Sequence, residues 1–130
     1  MSWLKDLFAQ GSAPKVELTP AQRQSLETWR ALPGSDLAEP HLATRYVVLD
    51  VESSGLDMKR DRLISIGAIA VVGGRLDFAD AFQVVLRQDR VSSRENILIH
   101  GIGGSAQSEG TDPTEALLVF LGYIGKSPLV

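Results

Sequence analysis

Two acidic residues, Asp50 and Glu52, are the strongest candidates for chemistry in this sequence. They follow the apolar run Val47-Val48-Leu49, which is typical of a buried β-strand. In a strand, residues i and i+2 point to the same face, with their Cα atoms about 6.6 Å apart. Such a pair repels unless it is solvated, paired with arginine or bridged by a cation, and oxygen ligands favour Mg²⁺ or Mn²⁺ over zinc. A metal site and a solvated strand end are both consistent with the spacing.

A turn of small residues follows the acidic pair. Ser53, Ser54 and Gly55 would let the backbone of a ligand approach without obstruction by side chains. Leu56 adds an apolar group beside this opening, where it could stack on a base or fill the core, and the residues alone favour neither. The turn is therefore an open approach to the two carboxylates.

The composition indicates one globular domain with a local site. The chain has 130 residues, a formal net charge of −3 and no cysteine, which excludes disulfides, thiolate catalysis and cysteine-based zinc sites. The charge is too small to indicate a partner, so any polyanion would need metal ions or local basic residues. The first ten residues lack the uninterrupted apolar stretch of a secretory signal, and no run approaches the roughly 20 apolar residues of a membrane span. We expect a cytoplasmic protein with no membrane partner.

The segments around the acids predict an α/β fold whose mixed sheet contains an antiparallel three-strand meander. Strands are expected over residues 46–51, 62–72 and 77–87, and Gly73-Gly74 is a two-residue hairpin signal between the last two. Residues 101–110 are expected to be a loop rich in glycine and serine.

The C-terminal part predicts a crossover helix. Asp112 is a suitable N-cap, Pro113 suits the first helical position, and Glu115 would complete a capping box for a helix over 113–124. Residues 128–130 then resemble the opening of a further strand, parallel to the first.

Residues 1–44 are expected to form a helical extension and connector before a domain over 45–130. Apolar residues at helical spacing in the first ten positions predict a short helix, packed on the domain or docking a partner: Trp3, Leu4, Leu7 and Phe8. Thr19, Pro20 and Gln22 predict a capped second helix that ends near Leu32. We expect this helix to pack on the sheet in preference to meeting DNA.

Two enzyme classes have an apolar strand that ends in Asp-x-acid. In haloacid dehalogenase-like phosphatases the second acid is normally Asp, and the parallel sheet requires a crossover helix after the first strand. Here the second acid is Glu52, and residues 57–61 are too few for such a helix. This class is the less favoured alternative.

The stretch VVLDVESSGLDMKRDRLISIGAIAV, residues 47–71, resembles the first motif of the DEDD-type 3′→5′ exonucleases. This ribonuclease H-like family includes the proofreading epsilon subunit of bacterial DNA polymerase III. ILIHGI, residues 97–102, is similar to a His-Gly-Ile segment before the family's second motif. His100 would then not be the catalytic histidine, and His41 in the connector is not expected to be catalytic either. Val51, Ser53 and Ser54 depart from the commoner Asp-Thr-Glu-Thr-Thr-Gly pattern but leave the acids and the glycine in place.

The resemblance implies a two-metal-ion exonuclease. Asp50 would bridge two Mg²⁺ or Mn²⁺ ions and Glu52 would hold one, and residues 53–56 would line the terminal nucleotide: Ser53, Ser54, Gly55 and Leu56. The implied substrate is a nucleic-acid 3′ end, single-stranded DNA in preference to RNA, with a polymerase or other protein as a possible partner. The second and third motifs are expected beyond Val130, so a truncated chain with its C-terminal part missing, inactive alone, is expected. A non-catalytic ribonuclease H-like interaction module is the alternative.

Overall fold

The computed structural model describes residues 16–130, so the helix predicted within the first ten residues lies outside the described part. Three strands and four helices occur within these described residues. In chain order they are α1 (Pro20–Ala31), β1 (Tyr46–Ser53), β2 (Leu63–Val72), β3 (Arg75–Val85), α2 (Arg94–His100), α3 (Gly104–Ser108) and α4 (Pro113–Ile124). None of the helices in this part of the chain is long and apolar enough to cross a membrane.

The predicted antiparallel meander is confirmed. The strands are hydrogen-bonded in the order β1-β2-β3, and both neighbouring pairs are antiparallel. Gly73 and Gly74 form the hairpin with φ angles of 60° and 74°, a conformation that costs glycine little because it has no Cβ. β3 begins and ends two residues earlier than predicted, and Leu86, just after it, forms a parallel bridge with Thr111.

One face of the sheet packs against α4 and forms the core. Ile66, Leu86 and Ala116 are buried at its centre. Phe82 lies between two aromatic rings of α4, with ring centroids 5.5 Å from Phe120 and 5.2 Å from Tyr123. Burial of this apolar surface fixes the helix across the sheet. The opposite face of the sheet carries Asp50 and Glu52 together with apolar residues.

The last residues run parallel to β1, as predicted. Val47 donates to the carbonyl of Pro128 at 3.0 Å, and Val130 donates back to Val47 at 2.9 Å. Leu129 is the bridge partner of Val47. A parallel neighbour on one side of β1 and an antiparallel neighbour on the other make the sheet mixed, so the predicted crossover by α4 is also confirmed.

The second predicted helix, α1, packs on α4 and makes no comparable contact with the sheet, which corrects the expectation that it would pack on the sheet. Its capping box is present, because Thr19 accepts from the Gln22 backbone while the Gln22 side chain accepts from the Thr19 backbone. Trp29 donates from Nε1 to the carbonyl of Gly125 at 2.6 Å. Only one half of the capping box predicted at α4 is present. Asp112 caps the helix, but the Glu115 side chain accepts a 2.6 Å hydrogen bond from Gln22 and does not reach back to the cap.

The segment before α4 is more ordered than its composition predicted. Residues 94–100 are helical and end at Gly101 with φ of 74°. The loop predicted over 101–110 contains the short helix α3. Gly110 then passes so close to β3 that an added Cβ would lie 2.7 Å from Val85 O. Within α3, Gln107 accepts from the backbone N–H of Gln88 at 2.7 Å, a tertiary contact that offsets the low helix propensity of glycine and serine.

Candidate active site

The two predicted acids lie on the sheet face opposite α4. Asp50 is paired in register with Gly67 and Glu52 with Ser65, so both project to the same side. Gly67 has no side chain, which leaves open space beside Asp50. A cavity of about 220 Å³ forms at this point. Its lining consists of Asp50, Glu52, Ser65, Gly67, Gln83, His100 and Ile102.

Neither carboxylate has a protein partner among residues 16–130. Arg45 makes two hydrogen bonds with Asp80, at 2.7 and 3.0 Å, whereas Asp50 and Glu52 accept none from the described residues. Two adjacent unpaired anions repel each other, and a divalent cation bound to oxygen ligands would relieve this repulsion. The donor set therefore fits Mg²⁺ or Mn²⁺, with two protein ligands. No cluster of three or more potential metal ligands occurs in the described part of the chain.

The turn after β1 is held by its own hydroxyl groups. Ser53 donates from Oγ to the carbonyl of Gly55 at 2.6 Å, and Ser54 donates from Oγ to Asp61 at 2.9 Å. The Ser54 hydroxyl also accepts from the backbone N–H of Arg62 at 3.0 Å. Leu56 is fully exposed, with 100% of its surface accessible. The two serine hydroxyls are therefore engaged in hydrogen bonds within the turn. Leu56 does not fill the core.

Asp61 closes this turn, a role that the sequence reasoning did not assign. A Cβ at Gly55 would lie 2.4 Å from Asp61 Oδ2, so only glycine fits beneath the carboxylate. The backbone N–H of Asp57 donates to Asp61 at 2.8 Å, and this bond, followed by that from Ser54, lowers the pKa of Asp61. The Asp57-to-Asp61 spacing was the available signal, but the sequence alone does not show which acid folds back on the turn.

His100 lines the same cavity as the acids, but both of its ring nitrogens are occupied. Nδ1 accepts from the backbone N–H of Ile102 at 2.9 Å, and Nε2 lies 2.8 Å from Asn96 Oδ1. Asn96 in turn donates to the carbonyl of Ser53 at 2.9 Å. His41 is hydrogen-bonded to the hydroxyl of Tyr46. That neither histidine is catalytic stays a prediction.

A meander, a helix that crosses back to a parallel neighbour of β1, and an acidic pair near the end of β1 together define the ribonuclease H-like class of exonucleases. The family model described as Exonuclease, RNase_T, matches residues 47–130. The chain belongs to this family. The haloacid dehalogenase-like alternative is wrong, since β1 and β2 are antiparallel.

The chain is similar to known replication and nuclease proteins. A PolC-type DNA polymerase III from Thermotoga maritima is 34% identical over 85 residues, which are 65% of this chain and 6% of that protein. The DNA polymerase III subunit epsilon of Escherichia coli is 33% identical over 92 residues, covering 67% of this chain and 37% of that protein. The structure of cell-death related nuclease 4 is similar with a TM-score of 0.56 at 11% identity, over 64% of this chain and 30% of that one.

Proposed function

We propose that this chain carries the first-motif part of a metal-dependent 3′→5′ exonuclease site. The single observation that supports this most is a pair of carboxylates, Asp50 and Glu52, that have no partner among residues 16–130 and face one polar cavity in a chain of the exonuclease family. The substrate would be the 3′ end of a nucleic acid, single-stranded DNA in preference to RNA. The names of the relatives, a polymerase and a polymerase subunit, favour a replicative polymerase as the protein partner.

The chain's own residues would hold and orient the reactants. Asp50 would contact two divalent ions and Glu52 one. When bound, Mg²⁺ or Mn²⁺ ions would activate the attacking water and offset the charge that develops on the leaving 3′ oxygen. Leu56, fully exposed next to the acids in sequence, would present an apolar surface to the terminal base. Gly55 and the backbone of Ser53 and Ser54 would allow the sugar close approach.

The metal site is tested directly by Mn²⁺ binding, measured by electron paramagnetic resonance on the 130-residue chain. We expect weak but saturable binding that is lost in Asp50→Asn and in Glu52→Gln, because each change removes a charged oxygen ligand while nearly keeping shape. Asp36→Asn is the matched control, since it removes the same charge from the connector. Equal binding in all four proteins would contradict the assignment and favour a non-catalytic interaction module.

Catalysis is tested by degradation of 5′-labelled single-stranded DNA and RNA with Mg²⁺ or Mn²⁺. Loss of a bridging carboxylate should cost several kcal/mol of transition-state stabilisation, or roughly 10³-fold in rate, in any form of the protein that is active. We expect the 130-residue chain alone to be slow, because two ligands hold an ion with half of a full protein coordination set. Blocking the 3′ end of the substrate should stop the reaction if the direction is 3′→5′.

A further inference from the structure

A hydrogen-bonded chain of side chains leads from the buried segment before α4 to the end of β1. It begins at Gln107, whose surface is 0% accessible. Gln107 accepts from the backbone N–H of Ser92 through Oε1 and donates through Nε2 to Ser92 Oγ and to the carbonyl of Ile102, each at 2.9 Å. Its amide thus ties together the residues that flank α2.

The next two residues form a relay with a fixed direction. A backbone N–H can only donate, so the contact from Ile102 requires an unprotonated Nδ1 on His100. The proton of the neutral imidazole is then on Nε2, which donates to Asn96 Oδ1. A carbonyl can only accept, so Asn96 must present Nδ2 to Ser53 O. This orientation of the amide leaves Oδ1 to accept from His100, in agreement with the proton on Nε2.

The relay ends where the strand ladder is irregular. Glu52 is paired with Ser65, but Ser53 is paired with Leu63, so the register of β1 and β2 shifts between Glu52 and Ser53. Such an irregularity re-aims side chains and weakens the backbone control of their direction. The hydrogen bond from Asn96 reaches the main chain on the far side of this shift. It adds to the backbone hydrogen bond from Ser54 N–H to Arg62 O at 2.9 Å, which also restrains this end of β1.

We infer that His100 and Asn96 are positioning residues for the metal-binding carboxylate of Glu52. This inference rests on the proposed function of Asp50 and Glu52 as metal ligands. Asn96 fixes the carbonyl of Ser53, and His100 fixes the orientation of Asn96. The main chain held in this way directs the Glu52 carboxylate toward the cavity. His100 forms part of the cavity wall, but with both nitrogens engaged it acts through Asn96 and is not itself a ligand or a base.

The test measures Mn²⁺ affinity of the 130-residue chain by electron paramagnetic resonance in Asn96→Ala, His100→Ala and the double variant. Loss of an outer-shell partner typically costs about 10- to 100-fold in metal affinity. We expect each single variant to fall in that range and the double variant to be no worse than the singles, because both act through one path. His100→Gln keeps a donor for Asn96 and should recover part of the affinity.

Controls separate positioning from general destabilisation. His41→Gln changes a histidine remote from the cavity lining and should leave the affinity unchanged. Arg45→Gln should lower stability without changing affinity. Hydrogen exchange on the metal-free chain provides a readout independent of metal, and the amide of Ser54 should exchange faster in Asn96→Ala and His100→Ala while the core of β2 stays protected.

The outcomes distinguish the two proposals. Binding that is lost in Asp50→Asn and Glu52→Gln but unchanged in folded Asn96→Ala and His100→Ala would overturn the positioning role alone. Additive losses in the double variant would also overturn it, because they would mean that His100 contacts the metal independently. Binding that is unchanged in every variant would overturn the proposed function and the positioning role together.

Discussion

Replacing Gly110 with alanine should destabilise the domain by about 3 kcal/mol, whereas the same change at Gly122 should stabilise it. At Gly110 the added Cβ would lie 2.7 Å from both Arg87 N and Val85 O. Both are backbone atoms, one in β3 and one two residues after it, so no side-chain rotation can relieve the overlap. At Gly122, in α4, nothing lies within 4 Å of the added Cβ.

The size of the destabilisation follows from the backbone hydrogen bonds that must break. To relieve the overlap, the chain around Gly110 has to withdraw from β3, which breaks the bonds from Arg87 N to Thr111 O at 2.7 Å and from Thr111 N to Val85 O at 2.8 Å. Two backbone hydrogen bonds at about 1 kcal/mol each, with about 1 kcal/mol of residual strain, give the estimate. In α4, glycine is less favourable than alanine by about 1 kcal/mol, which gives the opposite sign.

The assay is urea unfolding followed by circular dichroism. With an m-value of about 1.5 kcal/mol per M, 3 kcal/mol lowers the midpoint by about 2 M, and the gain at Gly122 raises it by less than about 1 M. The two variants carry the identical chemical change, so the wild type should lie between them. A Gly110→Ala midpoint equal to or above that of the wild type would refute the close approach of this segment to β3. The consequence would extend to the site, because Gln107 lies in the same segment.

Two further results are expected. Arg45→Gln should lower the free energy of unfolding by about 1–2 kcal/mol, after discounting for solvent exposure. The reason is that the Arg45 guanidinium bonds both carboxylate oxygens of Asp80 and the hydroxyl of Ser127. Unchanged thermal unfolding would contradict this. The lowered pKa of Asp61 means that its contribution to the turn is complete above the ordinary carboxyl pKa near 4 and is lost as the pH falls through its lower folded value. The Gly55 amide resonance should report this transition, and Asp61→Asn should abolish it.

The strands and the acidic pair were predictable because they depend on local periodicity. The alternation of apolar residues in β2 and the Gly73-Gly74 turn specify a meander whatever the rest of the chain does. The same spacing rule correctly places Asp50 and Glu52 on one face. Their metal-binding role stays a prediction, since spacing fixes direction and leaves open what the carboxylates bind.

Features that depend on distant partners could not be predicted. The pairing of β2 with β3 is irregular, because Ile69 is paired with Ala81 but the next residue is paired with Asp77. The extra residues of β3 include Asp80, which forms an ion pair with Arg45, immediately before β1. The short helix α3 is tied to the chain after β3 by hydrogen bonds of Gln107 with Gln88 and Ser92, whereas the sequence of this segment is typical of a loop. No local pattern encodes such pairings, because the partners are separated by tens of residues.

The structure changes what residues 53–56 can offer a nucleotide. The family resemblance implied that Ser53 and Ser54 line the terminal nucleotide. Their hydroxyls are instead donors to Gly55 O and to Asp61, and a nucleotide could recruit them only by breaking bonds that shape the turn. A buried or turn-forming hydrogen bond is costly to leave unmade. We therefore expect Ser54→Ala to loosen the turn more than it removes a substrate contact, and any direct contact with the base to come from the exposed side chain of Leu56.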